Sequence, residues 1–194
     1  NPSAVKSLLG LAKYVDQDSD GQLSEKDIVY LGNSDPVLYG GLNNTFHWKN
    51  LKFSFYFIYS LGGKIYNYSE MFMGGGVVTN QYSYMLDAWH PVRNPDSWYP
   101  RPGKDYNHMP SSLQVHDASY LRLKTVSIAY TLPFKKGKIF KDMTFTLTGD
   151  NLALLTKYNG FDPDVSTNSD NSTLRRVDMG AYPKSRMVVL SVQL

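Results

Sequence analysis

The 194-residue sequence contains no cysteine. That absence removes disulfide frameworks, thiol catalysis and thiolate metal sites from consideration. No apolar run approaches the ~20 residues that a membrane-spanning helix needs. Strand-built membrane proteins are untouched by this, because their segments alternate between apolar and polar instead of running apolar throughout. Charge is scarce and scattered: Asp, Glu, Lys and Arg make up 19% of the chain, and the net charge is +3. The one basic run, FKKGKIFK at 134–141, reads as a solvated turn, and a nucleic-acid partner is not expected. The histidines His47, His90, His108 and His116 show no zinc spacing. There is no nucleophile elbow, P-loop or dinucleotide-binding glycine pattern, and GGG at 74–76 reads as flexible loop. With no catalytic constellation, the chain is read as not an enzyme.

Helical periodicity is equally sparse. AVKSLLGLAKYV (4–15) can form one amphipathic helix, with Leu8, Leu11, Ala12 and Val15 on a face. It leads into DQDSDGQLSEKD, Asp16 to Asp27, which has the spacing of a calcium loop. Asp16, Asp18 and Asp20 supply oxygen donors at positions 1, 3 and 5, Gly21 takes the sharp turn at position 6, and Gln22 offers its backbone carbonyl at position 7. Leu23 at position 8 can point into a core. Position 12 is Asp27, whose shorter side chain reaches less far than Glu for bidentate coordination. Downstream, IVYLGNSDP runs into Gly, Asn and Pro and cannot continue as a helix, so a true EF-hand is not expected. Two readings stand: a Ca²⁺ site, or an Asp/Gly-rich turn that is acidic because it faces water.

Aromatic residues are abundant, at 14% of the chain. Beyond residue 36 they fall into a period of two. In LKFSFYFIYSL (51–61) the odd positions are Leu51, Phe53, Phe55, Phe57, Tyr59 and Leu61, and the even positions are mixed polar. MTFTLTGD (143–150) sets Met143, Phe145 and Leu147 against Thr144, Thr146, Thr148 and Asp150. VSIAYTLP (126–133) and RMVVLSVQL (186–194) alternate likewise, and VLYGGLNNTFHWK (37–49) does so less regularly. In SYLRLKTV, Leu121 and Leu123 break parity with Ile128, which a bulge would repair.

Alternation alone permits a soluble sandwich, here a calcium-dependent carbohydrate-binding module, as well as a transmembrane barrel. Segments of about ten residues, aromatic side chains near their ends, and connections that alternate short (48–50, 134–142) and long (62–119, 152–183) favour the barrel. The expected fold is therefore all-β: an antiparallel transmembrane β-barrel segment of about five strands with long external loops. Five strands cannot close a barrel, which takes about eight or more. The chain is thus either an arc of a larger barrel or no barrel at all.

The order of motifs KYVDQDSDGQLSEKD, LGNSDPVLYGGLNNTFHWKNLKFSFYFIYSLGGKIYN, HDASYLRLKTVSIAYTLP, LTGDNLALLTKYNGFDPDV and YPKSRMVVLSVQL resembles the final part of SusC/RagA-type TonB-dependent transporters. The terminal Leu194 departs from the Phe common at the end of outer-membrane strands. The resemblance implies a barrel of about twenty-two strands, to which this chain gives the C-terminal portion. Residues 1–35 would then form an external loop with the acidic turn, and 36–194 the strands. It further implies a place in the bacterial outer membrane, surrounded by lipid, and import of oligosaccharides or peptides. The expected partners are a SusD-like surface lipoprotein and, through parts of the transporter outside this chain, the TonB complex.

Within the longest loop, DAWHPVRNPDSWYPRPG (87–103) gathers Trp89, Arg93, Trp98, Tyr99 and Arg101. Aromatic faces beside guanidinium groups can anchor a partner or stack on sugars. The competing reading is a proline-stiffened loop whose aromatics hold one another in place.

Overall fold

A computed structural model describes residues 9–76, 79–104, 109–134, 141–165 and 175–194. His108 and most of the basic run, 135–140, lie outside them. The chain forms two compact units that interleave along the sequence, 1–32 with 66–116 and 166–180, and 33–65 with 117–165 and 181–194.

The second unit is an antiparallel sheet of β1 (Leu38–Trp48), β2 (Leu51–Leu61), β5 (Tyr120–Pro133), β6 (Asp142–Thr156) and β8 (Met187–Gln193), in that spatial order. Each strand contains an alternating segment of the sequence; β2 spans the expected residues end to end, while β6 runs past the expected 143–150 to Thr156, into what was expected to be loop. A two-residue turn joins β1 to β2, with Lys49 at φ 52°, the left-handed conformation that primed hairpin turns demand.

Register explains the parity fault at Leu121 and Leu123. Tyr56 pairs with Thr125 while Phe57 pairs with Leu123, so Lys124 is an extra residue in β5. The ladder to β6 skips at the same place, between Leu123 and Thr125. The bulge returns Leu121 and Leu123 to the side of Val126, Ile128 and Tyr130, because they now oppose Tyr59, Phe57, Phe55, Phe53 and Leu51. Lys124 closes the gap by donating from Nζ to Asn151 Oδ1 at 3.1 Å, and Asn151 takes φ 52°.

Short elements fill the long loop: β3 (Lys64–Asn67), a single helical turn α1 (Ser69–Met73), β4 (Val115–Asp117) and, later in the chain, β7 (Val177–Asp178). A small three-stranded sheet runs β4-β3-β7. In it Tyr66 and Asn67 pair with Val177 and Asp178 in parallel, a contact between segments more than a hundred residues apart. In the second unit Ile65, Ala118 and Tyr158 form a small buried cluster with Val165 packed on it.

The expected helix over 4–15 does not form across 9–15, which carries turn and irregular backbone; residues 4–8 lie outside the described set. Gly10 shows why. It has φ +80°, and a Cβ there would fall 2.1 Å from Cε3 of Trp89. Its carbonyl accepts from the Arg101 amide at 2.6 Å, so this backbone belongs to the loop around Trp89 and not to a helix. Gly10→Ala therefore forces both a ring displacement and a strained φ, at a cost of about 2 kcal/mol. Faster amide exchange across 88–101 is the expected result, and unchanged exchange would contradict it.

Candidate functional site

The sheet carries two chemically distinct faces. Following the pairings from strand to strand, one face joins Leu42, Phe46 and Trp48 of β1 to the odd residues of β2, then to Leu121, Leu123, Val126, Ile128 and Tyr130 of β5. It continues through Phe145 and Leu147 of β6 to Leu190 and Val192 of β8. Phe46, Phe53, Phe55 and Phe57 lie in a ring-to-ring ladder with centroids 5.6–6.3 Å apart. This face is not the inside of a globule: Phe46 is 56% exposed, Leu147 48% and Leu190 69%. A soluble monomer seldom leaves contiguous apolar surface beyond a few hundred Å² uncovered. Eleven residues at ~3.3 Å each, tilted by ~45°, span about 25 Å, the height of an outer-membrane apolar band.

The opposite face is hydroxyl-rich, as the alternation predicts. Ser127 and Thr148 hydroxyls lie 3.2 Å apart, those of Thr131 and Thr144 2.9 Å apart, and Thr125 donates to Asp150 at 2.8 Å. At one end of this face Arg122 and Asp162 form an ion pair at 2.5 Å. Their side chains are 3% and 2% exposed. Asp162 also accepts from the Asp164 amide, and Asp164 is paired with Lys184. Together these bonds hold the 157–165 segment on the sheet. A second pair, His116 Nε2 with Glu70 Oε2 at 2.7 Å, ties α1 to β4 within the first unit. Nothing in the local pattern marks either pair, since their partners stand 40 and 46 residues apart.

In the acidic loop, Asp16, Asp18 and Asp27 each bring a carboxylate oxygen within 4.8 Å of the others. Gly21 has φ +80° with open space around it, as the turn requires. Asp16 Oδ2 accepts from the Gly21 amide, while its buried Oδ1 has no hydrogen-bond partner. Asp20 is not in the carboxylate trio; its Oδ1 accepts from Gln22 N at 2.8 Å. Asp27 closes the loop, taking the Gln17 amide on one oxygen and the Ser24 amide on the other, both at 2.7 Å. These amide bonds, that from Ser24 first, hold the Asp27 carboxyl below the usual carboxylate range. The closure they provide is complete above the ordinary carboxylate pKa and is lost as pH falls through the lowered one. Leu23 does not enter a core and is 52% exposed.

The aromatic loop divides. Trp89, Tyr99 and Arg101 are half-buried. Trp89 stands over Gly10, its amide donates to the Tyr99 carbonyl at 2.9 Å, and Tyr99 stacks on Tyr84 at 4.6 Å. Arg93 and Trp98 face solvent, Trp98 at 79% exposure, together with Leu86 and Val92. The self-packing reading therefore fits the first three residues, and a surface role is open only to the last two.

Such a sheet, apolar on one side, hydroxylated on the other and open at β1 and β8, has the makings of part of a larger β-structure. Over 96% of its length the chain is 36% identical to TonB-dependent receptor P26 of Formosa agariphila. It is 32% identical over 93% to TonB-dependent receptor P3 of the same organism. It spans only about a fifth of either, 20% and 18%. Among solved structures it matches the RagAB peptide transporter with a TM-score of 0.73 and 26% identity, covering 88% of this chain and 19% of that one. The RagAB peptide importer in the open-open state matches with a TM-score of 0.73 and 25% identity, covering 94% and 20%. No protein-family model matches. The chain is thus related, as a part to a whole, to the TonB-dependent receptors, the group its motifs resemble.

Proposed function

We propose that this chain is the C-terminal strand portion of a SusC-like, TonB-dependent importer in the bacterial outer membrane, with its apolar face against lipid and its hydroxylated face toward a wet lumen. The observation that carries the proposal is the in-register apolar face, kept continuous across five strands by the Lys124 bulge. The relatives, named as receptors and as a peptide transporter, support the same role. If the last strand descends to the periplasm, loops 62–119 and 152–183 and the segment 1–35 are external. There they meet a SusD-like lipoprotein, with Arg93 and Trp98 available for contact, and cargo is an oligosaccharide or peptide. Energy from the TonB complex enters through other parts of the receptor. Fractionation of cells expressing the whole receptor tests this. The protein should stay with outer membranes through salt and alkaline washes and release only in detergent; release by buffer alone would refute it. That second outcome would favour a soluble carbohydrate-binding sandwich, which the exposure of Leu147 and Leu190 argues against.

On this reading the acidic loop is an external Ca²⁺ staple. Asp16, Asp18 and Asp27 supply the first oxygens, and the partnerless Asp16 Oδ1 suits a cation ligand. Asp20 and the Gln22 carbonyl complete the set of hard donors such an ion takes. Titration of the receptor with Ca²⁺ should show a site that Asp16→Ala with Asp20→Ala abolishes. An unchanged isotherm would refute the assignment.

A further inference from the structure

We propose that the 86–98 tip of the long loop is a protonation-sensitive turn, with the imidazole of His90 as its sensor. Nδ1 of His90 accepts from two backbone amides, Val92 and Arg93, both at 3.2 Å. Only a neutral ring with its proton on Nε2 has a lone pair free at Nδ1. A second proton lands on Nδ1 itself and turns both hydrogen bonds into donor–donor contacts. The same residue closes the tip through its backbone. His90 and Asn94 exchange both N–H···O bonds at 3.1 Å, and Asn94 Nδ2 reaches back toward the Leu86 and Ala88 carbonyls. Ser97 Oγ donates to the Asp87 carbonyl at 2.5 Å and fixes the base of the turn. The tip is therefore rigid while His90 is neutral, and its most constrained amides are the ones a proton would evict.

The charged groups of the tip are Asp87, Arg93 and Asp96, with Arg101 a few residues further along the chain. The segments packed onto the loop bring Gly10 under Trp89 and the phenol of Tyr84 onto Tyr99. The consequence concerns the exposed side chains the tip presents. Leu86 and Val92 are each 83% exposed and Trp98 79%, and Arg93 is exposed beside them. A closed turn holds these in one arrangement, the preorganisation that aromatic and Arg anchors need to bind a partner. Acidification releases them. That a partner lipoprotein docks here rests on the function proposed above; the switch itself rests only on the turn.

Hydrogen exchange of the detergent-purified whole receptor, followed across peptides covering 86–98 between pH 8 and pH 5, tests it. After division by the intrinsic rates, protection at Val92 and Arg93 should fall between pH 8 and pH 5, by up to about tenfold per unit. His90→Asn keeps a side-chain acceptor that does not titrate, so protection should persist and lose its pH dependence. His90→Phe removes the acceptor, and exchange should be fast at every pH. Protection that is flat in the native receptor, or equally steep in His90→Asn, would overturn the proposal. Because no partner enters the readout, a receptor that binds no lipoprotein would leave the switch standing, and a flat profile would leave the transport role untouched.

Discussion

Leu147→Arg is expected to deplete folded receptor from the outer membrane, whereas Thr146→Arg, one residue away, leaves most of it in place. Leu147 lies mid-face, paired with Ile128 on one side and Leu190 on the other, so its side chain has neighbouring apolar strands in both directions. Arginine facing the middle of a bilayer costs ~2–4 kcal/mol in a β-barrel. That is a factor of roughly 30 to 1,000 in the folding equilibrium, large against the 5–15 kcal/mol that holds a typical protein folded. Thr146 pairs with Ala129 and Ser191 on the hydroxylated face, where a guanidinium can stay hydrated. The measurement is the fraction of heat-modifiable, membrane-inserted receptor for each variant. Equal losses for the two substitutions would mean that the faces are not different environments.

The second large effect belongs to the buried ion pair. Arg122→Met leaves Asp162, 2% exposed, as an uncompensated charge in the place where its partner stood at 2.5 Å. Breaking one side of such a pair costs about 3–5 kcal/mol. The double variant Arg122→Met with Asp162→Leu removes both charges and should recover most of that loss, since apolar replacements of buried pairs are often neutral. Some deficit should remain, because Asp162 also caps the Asp164 amide. Denaturation midpoints of the detergent-folded receptor read this cycle. Additive losses in the double variant would mean that the two residues act independently.

A period of two, an aromatic-rich face and long runs free of Pro located β1, β2, β5, β6 and β8, because strand register is written locally. The faulty parity of Leu121 and Leu123 was also readable, and Lys124 resolves it as a bulge. What local pattern could not carry were pairings over long separations. The β3–β7 ladder, Arg122 with Asp162 and His116 with Glu70 are set by how the loops return, and their residues look like ordinary polar loop positions. The helix expected over 4–15 is absent from its described part, 9–15, for the same reason. Its apolar spacing was genuine, but Trp89, almost eighty residues later, fixes Gly10 in a conformation that no helix admits. In the acidic loop the donor residues were legible, while the part Asp27 plays was only half so. Its carboxylate caps two backbone amides as well as facing Asp16 and Asp18. In the aromatic loop, composition named five residues, and only contact geometry separates Trp89, Tyr99 and Arg101, which support the loop, from Arg93 and Trp98, which it presents.

Nitroxide scanning shows whether the Phe-lined face of this sheet looks into hydrocarbon. The chain has no cysteine of its own, so single cysteines at Phe55, Tyr56, Thr146 and Leu147 can carry the label in a receptor freed of any others and reconstituted into bilayers. Labels at 55 and 147 should collide readily with dissolved oxygen and hardly with a water-soluble nickel chelate, and labels at 56 and 146 should show the reverse. Labels at 55 and 147 shielded from both reagents would place that face inside a protein core and not against lipid.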